Sequence, residues 1–147
     1  MLGVYDKNLL RTFSHVAKNL DMEHVLVVHG DDGLDEISVS SETSISELKD
    51  MQIKEYKISP TDFGLDFGTF EAITAQSSKD SLKMVNEAFA GTKSTVQDMI
   101  AMNAGAALYI ANKATSIGNG IELAFDLMNS GKAAEKLNAY VNASNNL

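Results

Sequence analysis

The chain has 147 residues, 44% of them apolar, enough for one domain with a core and too many for disorder throughout. Twelve Lys and Arg against twenty Asp and Glu give a net charge of −8, with no basic stripe to displace counterions from nucleic acid or to hold an anionic membrane surface. Cysteine is absent, which excludes disulfides, zinc–thiolate sites and cysteine nucleophiles.

Asp6 is a good N-cap for a first helix with Leu9, Leu10, Phe13, Val16, Ala17 and Leu20 on one face. Val25 to Val28 reads as a short buried strand, bounded by His24 and Gly30. A turn rich in acidic residues follows, and then Ile37-Ser38-Val39 alternates as a half-exposed strand should. Ser44 to Asp50 suits a short helix or a turn. Ile53 to Ile58 is a third strand, with Tyr56 and Ile58 on one face and Glu55 and Lys57 on the other. Residues 59–78 read as loop, with one short helix near Phe70-Glu71-Ala72-Ile73.

Beyond this the pattern is helical. Ser77-Ser78-Lys79-Asp80 opens a helix with Leu82, Val85 and Phe89 inward, and Gly91 ends it. Thr92 or Ser94 begins a long helix through Ile117, closed by Gly118. Asn119-Gly120-Ile121-Glu122 resembles a capping arrangement for a helix stopping at Gly131. A last helix holds Ala133, Leu137, Tyr140 and Val141, before a frayed Asn-rich tail. The reading is one α/β unit over residues 1–147, with a few strands and about five helices. No apolar run nears the roughly 20 residues of a membrane span, and no signal pattern opens the chain, so a cytoplasmic location is expected.

The run His29-Gly30-Asp31-Asp32-Gly33-Leu34-Asp35-Glu36 packs two glycines and four carboxylates into eight positions after the buried strand. Open α/β folds bind ligands at the carboxyl ends of their strands. Two readings stand side by side. Acidic Gly-containing turns are common on surfaces because Asp and Gly form turns well, and the spacing matches no EF-hand loop. Alternatively, a carboxylate pair at a strand end suits a hard cation such as Mg²⁺, held beside a phosphorylated substrate.

The wording of this run resembles the anthranilate phosphoribosyltransferase family, in which a strand ends in His-Gly and passes through Gly-Leu-Asp-Glu into the next strand. Three further segments are similar in family order. They are Leu2-Gly3-Val4-Tyr5-Asp6, Lys54-Glu55-Tyr56-Lys57-Ile58-Ser59-Pro60-Thr61-Asp62-Phe63-Gly64, and the Asn-Ala-rich stretch from Met102-Asn103-Ala104-Gly105 to Ala114. The resemblance implies the C-terminal half of a phosphoribosyltransferase (nucleoside-phosphorylase-like) α/β domain. Family members carry, before this region, a helical domain, a Gly-Thr-Gly-Gly-Asp-type phosphate loop and an arginine that meets anthranilate. Here no two glycines are adjacent, and Arg11, the only arginine, lies in the first helix pattern. The expectation is therefore a fragment that is inactive alone.

In the family, the pair matching Asp35 and Glu36 holds the Mg²⁺ that accompanies the diphosphate. The implied reaction moves the 5-phosphoribosyl group from phosphoribosyl diphosphate to anthranilate, in tryptophan biosynthesis. A pyrimidine-nucleoside-phosphorylase-like relative, or a non-catalytic subunit completing a split active site, are the alternatives. His29, Gly30 and Gly33 are expected to support the turn, with His29 bonding backbone rather than acting as a base. Asp31 and Asp32 are expected to face solvent, His15 and His24 to be surface or helix-end residues, and Asn103 to satisfy a backbone carbonyl. Loss of packing partners would leave strand edges and apolar surface exposed, which a non-native homodimer would cover.

Overall fold

The computed structural model describes residues 1–146. Strand β1 (Leu2–Gly3) leads through a turn into helix α1 (Leu9–Asn19), followed by β2 (His24–Gly30), β3 (Thr43–Lys49) and β4 (Gln52–Ile58). The sheet order is β1-β2-β3-β4, with β1 parallel to β2 and the other pairs antiparallel. A 3₁₀ turn (Pro60–Phe63) precedes helices α2 (Phe70–Ile73), α3 (Ser78–Phe89), α4 (Thr95–Ile110), α5 (Ile117–Asn129) and α6 (Lys132–Ser144). Among the described residues, no helix is long and apolar enough to cross a membrane.

β2 is buried on both faces, so its apolar run is continuous rather than alternating. Val25 and Val27 pack on Leu10 and Ala17 of α1, while Leu26 and Val28 join Met102 and Ala106 of α4 and Ile121 of α5 on the other face. α4 and α5 cross where Gly105 and Gly120 meet. A Cβ at Gly120 would collide with the Gly105 carbonyl oxygen, and one at Gly105 would lie 2.5 Å from the Ile121 nitrogen. Only glycine at both positions permits that approach.

Several expectations are corrected. Thr43–Lys49 is a central strand, not a helix or turn. Its polar side chains are buried with partners: Ser46 Oγ accepts from Ser14 Oγ at 2.8 Å, and Glu47 accepts from three side chains. Ile37 and Val39 are buried, yet they form no strand. Their backbone is met by other groups instead, with Thr43 Oγ1 accepting from the Ser38 N–H and the Val39 carbonyl accepting from the Gly68 N–H.

α1 turns only Leu10, Ser14 and Ala17 fully inward, and Phe13, Val16 and Leu20 are exposed. Asp6 accepts from the Asn8 N–H, but it is Asn8 that borders the helix. Leu82 on α3 is likewise exposed, whereas Ala88 is buried.

α4 ends at Ile110, well before Ile117. Asn112 adopts φ +55°, and the N–H groups of Asn112 and Lys113 return to the Tyr109 and Leu108 carbonyls. Ser116, rather than Asn119, then caps α5, its Oγ accepting from the Asn119 N–H. The last helix and the stop at Gly131 are as expected, and the end of the Asn-rich tail, Leu147, lies outside the described residues.

His24 is neither a surface nor a helix-end residue. It lies in β2, and its Nε2 meets Glu47 Oε1 at 2.8 Å. Tyr109 of α4 donates to the same oxygen and Tyr56 of β4 to the other, tying three elements to one carboxylate. Burial raises the Glu47 carboxyl's proton affinity, but hydrogen bonds from His24, Tyr109 and Tyr56 outweigh it and hold the pKa below its ordinary 4.5. A depressed carboxyl contributes stability that is present above about pH 4.5 and lost as pH falls through the folded value. Thermal melts from pH 6 to pH 3 are expected to fall less steeply below pH 4.5 in Glu47→Gln than in the wild type. Equal slopes would remove Glu47 from the acid response.

Candidate functional site

The turn after β2 is built around glycine. The Gly30 N–H donates to the Leu34 carbonyl at 2.8 Å, and the Gly33 N–H donates back to the Gly30 carbonyl at 2.9 Å. Gly33 sits at φ +97°, a conformation that L side chains rarely adopt. At Gly30 a Cβ would fall 2.6 Å from Asp32 Oδ1. His29 is buried and bonds backbone, its Nδ1–H donating to the Val4 carbonyl at 2.8 Å. It ties the end of β2, where the turn begins, to the segment after β1.

The four carboxylates separate into two kinds. Asp31 and Asp32 are exposed, as expected, but their carboxylates are not free. Asp31 accepts from Lys57 at 2.6 Å, from Ser44 at 3.2 Å and from Lys7 at 3.4 Å, and the Lys57 ammonium foremost holds its carboxyl below the usual range. Asp32 Oδ2 accepts from Ser38 Oγ and Ser40 Oγ, both at 2.5 Å, and Oδ1 accepts from the Leu34 N–H. Burial pushes its carboxyl up, but these bonds bring it below the ordinary value. Asp35 and Glu36 differ. All four residues are exposed, but neither the Asp35 nor the Glu36 carboxylate accepts a hydrogen bond or an ion pair among the described residues.

The backbone carrying Asp35 and Glu36 is held from two sides. Beneath it lies Gly3, where a Cβ would overlap the Asp35 carbonyl oxygen. Beyond it Asn103 of α4 grips Ile37: Asn103 Oδ1 accepts from the Ile37 N–H at 3.0 Å, and Nδ2 donates to the Ile37 carbonyl at 2.8 Å and to the Met99 carbonyl at 3.0 Å. Asn103 thus satisfies backbone as expected, but the peptide it satisfies adjoins Glu36. The role of Gly3 was not visible in the sequence, because nothing local relates it to a residue thirty-two positions away. A groove of about 340 Å³ lies beside this segment, lined by Glu36 and Asn103 and by apolar Ile73, Val96, Met99 and Ile100.

Two free carboxylates cannot enclose a cation, and no group of three or more His, Cys, Asp or Glu among the described residues could. They do match the donor set of Mg²⁺, which takes one or two carboxylates and completes its octahedron with water and substrate phosphate.

A profile of the glycosyl transferase family's a/b domain matches residues 1–134. The anthranilate phosphoribosyltransferase of Vesicomyosocius okutanii is 41% identical over 144 residues, which are 98% of this chain and 42% of that protein. The crystal structure of anthranilate phosphoribosyltransferase from Thermus thermophilus superposes with a TM-score of 0.87 at 29% identity, over 96% of this chain and 41% of that one. The Saccharomyces cerevisiae enzyme in complex with PRPP and Mg shares the fold with a TM-score of 0.86 at 22% identity, covering 99% of this chain and 42% of that one. The chain therefore spans about 42% of the length of the curated relatives it matches.

Replacing Gly3 by Ala places a methyl group on a backbone oxygen that cannot swing away. Gly3→Ala is expected to shift the amide resonances of Asp35 and Glu36 and to cost about 1–3 kcal/mol in urea unfolding. Unchanged resonances there would show that the approach is not tight.

Proposed function

The chain belongs to the glycosyl transferase family through its a/b domain, and on that premise we propose that it supplies the Asp35–Glu36 side of an anthranilate phosphoribosyltransferase site. In this reading residues 1–147 act as one unit, in the cytoplasm, and serve the step of tryptophan biosynthesis that joins anthranilate to phosphoribosyl diphosphate. The observation that carries it is the division of the turn's acids. Asp31 and Asp32 are occupied by Lys57, Ser38 and Ser40, while the adjacent Asp35 and Glu36 are free and held by their backbone.

The reaction asks little of a base. The aromatic amine of anthranilate has a free lone pair, and its nitrogen forms a bond to the ribosyl C1 as the C1–oxygen bond to diphosphate breaks. Negative charge gathers on the departing diphosphate. Mg²⁺ bound there supplies counter-charge to those oxygens. Asp35 and Glu36 hold the ion, and the rigid turn fixes where they hold it. The yeast enzyme that shares this fold is in complex with PRPP and Mg, the substrate and the cation that this reading uses.

The test is phosphoribosyl transfer from phosphoribosyl diphosphate to anthranilate with Mg²⁺. The chain is assayed alone, and mixed with the part of the Vesicomyosocius okutanii relative that it does not match. Activity is expected only in the mixture, falling roughly 10²–10³-fold with Asp35→Asn or Glu36→Gln. Silence of the mixture would overturn the split-site form of the proposal. Phosphorolysis of a pyrimidine nucleoside without transfer to anthranilate would favour the nucleoside-phosphorylase reading.

The same reading includes a homodimer over the exposed stripe Phe13, Val16 and Leu20. Sedimentation at increasing concentration is expected to show a dimer that Val16→Lys weakens, and a monomer throughout would rule it out.

A further inference from the structure

Asp35 and Glu36 have no side-chain partner of their own among the described residues, so the hold on their backbone is the only contact that places them. That backbone continues directly into Ile37, whose peptide groups find no strand neighbour. Asn103 takes the place of one. Its single acceptor and both of its donor hydrogens are used, two of the three bonds going to the N–H and C=O of the same residue. A bidentate grip of this kind fixes orientation as well as position.

The grip itself is anchored. Gly105 lies two residues further along α4, against Gly120 of α5, where a Cβ would meet the Ile121 nitrogen at 2.5 Å. Met99, one turn earlier, accepts the third Asn103 bond and fixes the side-chain rotamer. The amide group therefore presents a rigid template to the turn, and Gly3 closes on the Asp35 carbonyl from the other side. Other polar groups in the turn point elsewhere: Asp31 to Lys57, Asp32 to Ser38 and Ser40.

We infer that Asn103 is a positioning residue, holding the Ile37 peptide and with it the stretch of backbone from which Asp35 and Glu36 reach a divalent cation. The inference rests on the metal role assigned above to those two residues. Positioning groups of this kind change metal affinity without touching the ion.

The probe is Mn²⁺ titrated into the ¹⁵N-labelled full chain, read as paramagnetic broadening of individual amide signals. The wild type is expected to broaden first at Asp35 and Glu36, and Asp35→Asn to abolish this. Asn103→Leu removes both bonds at nearly constant volume. It is expected to raise the Mn²⁺ concentration needed for half-broadening about 10–100-fold and to speed exchange of the Ile37 amide. Where the Leu variant fails to fold, Asn103→Ala decides, because water can reach the Ile37 peptide in the smaller variant.

A lowered melting temperature with unchanged half-broadening would show a purely structural role and overturn the inference alone. Wild-type broadening that is absent or centred elsewhere would overturn the metal assignment and the inference together, a result the first cannot be confused with.

Discussion

The crossing of α4 and α5 at Gly105 and Gly120 sets the geometry on which the rest depends. Backbone meets backbone there, with no side chain between the helices to act as a compressible spacer. The position of α4 is thereby determined along its whole length. At one end Tyr109 reaches Glu47 in the sheet, and nearer the middle Asn103 reaches the Ile37 peptide. One helix carries the registration of the sheet to the turn that follows β2, and a bulkier residue at either glycine would move both attachments together.

The sheet is organised for the same purpose. β2 is enclosed by α1 on one face and by α4 and α5 on the other, so its carboxyl end is packed from both sides. The turn then sorts its charges. One acid pairs with a lysine and another accepts hydrogen bonds from two serines, which leaves the other two without a protein partner. In a chain carrying −8 such a division is consequential. An acid already satisfied by the protein adds little to a cation's binding, whereas an unpartnered pair on fixed backbone keeps its full coordinating capacity.

Elements with a single periodic signal were legible from the residues. The apolar run Val25–Val28, the Ser77 start and the Gly91 and Gly131 stops all follow from local chemistry, and each appears in the structure. β3 was not legible, because Ile45 and Leu48 lie on opposite faces and the positions between them are polar. Ser46 and Glu47 can be buried only because Ser14, His24, Tyr56 and Tyr109 come from distant parts of the chain to meet them. Ile37 and Val39 misled in the opposite sense. Their alternation is that of a strand, but the Asn103 side chain pairs Ile37 and the Gly68 N–H meets the Val39 carbonyl. The break after Ile110 was hidden because Asn112 takes the left-handed position more often given to glycine.

By itself the sequence determined the α/β class, the tight glycine turn after β2, the acidic composition of that turn and the family its wording resembles. These depend on neighbours within a few residues, where backbone preference and side-chain period act directly. The tertiary structure alone decided which of the four acids remain free, why Gly3 must be glycine, and what Asn103 holds. Each of those outcomes is a contact between residues twenty-six, thirty-two or sixty-six positions apart, and no local pattern encodes a distance that only folding brings to a few ångströms.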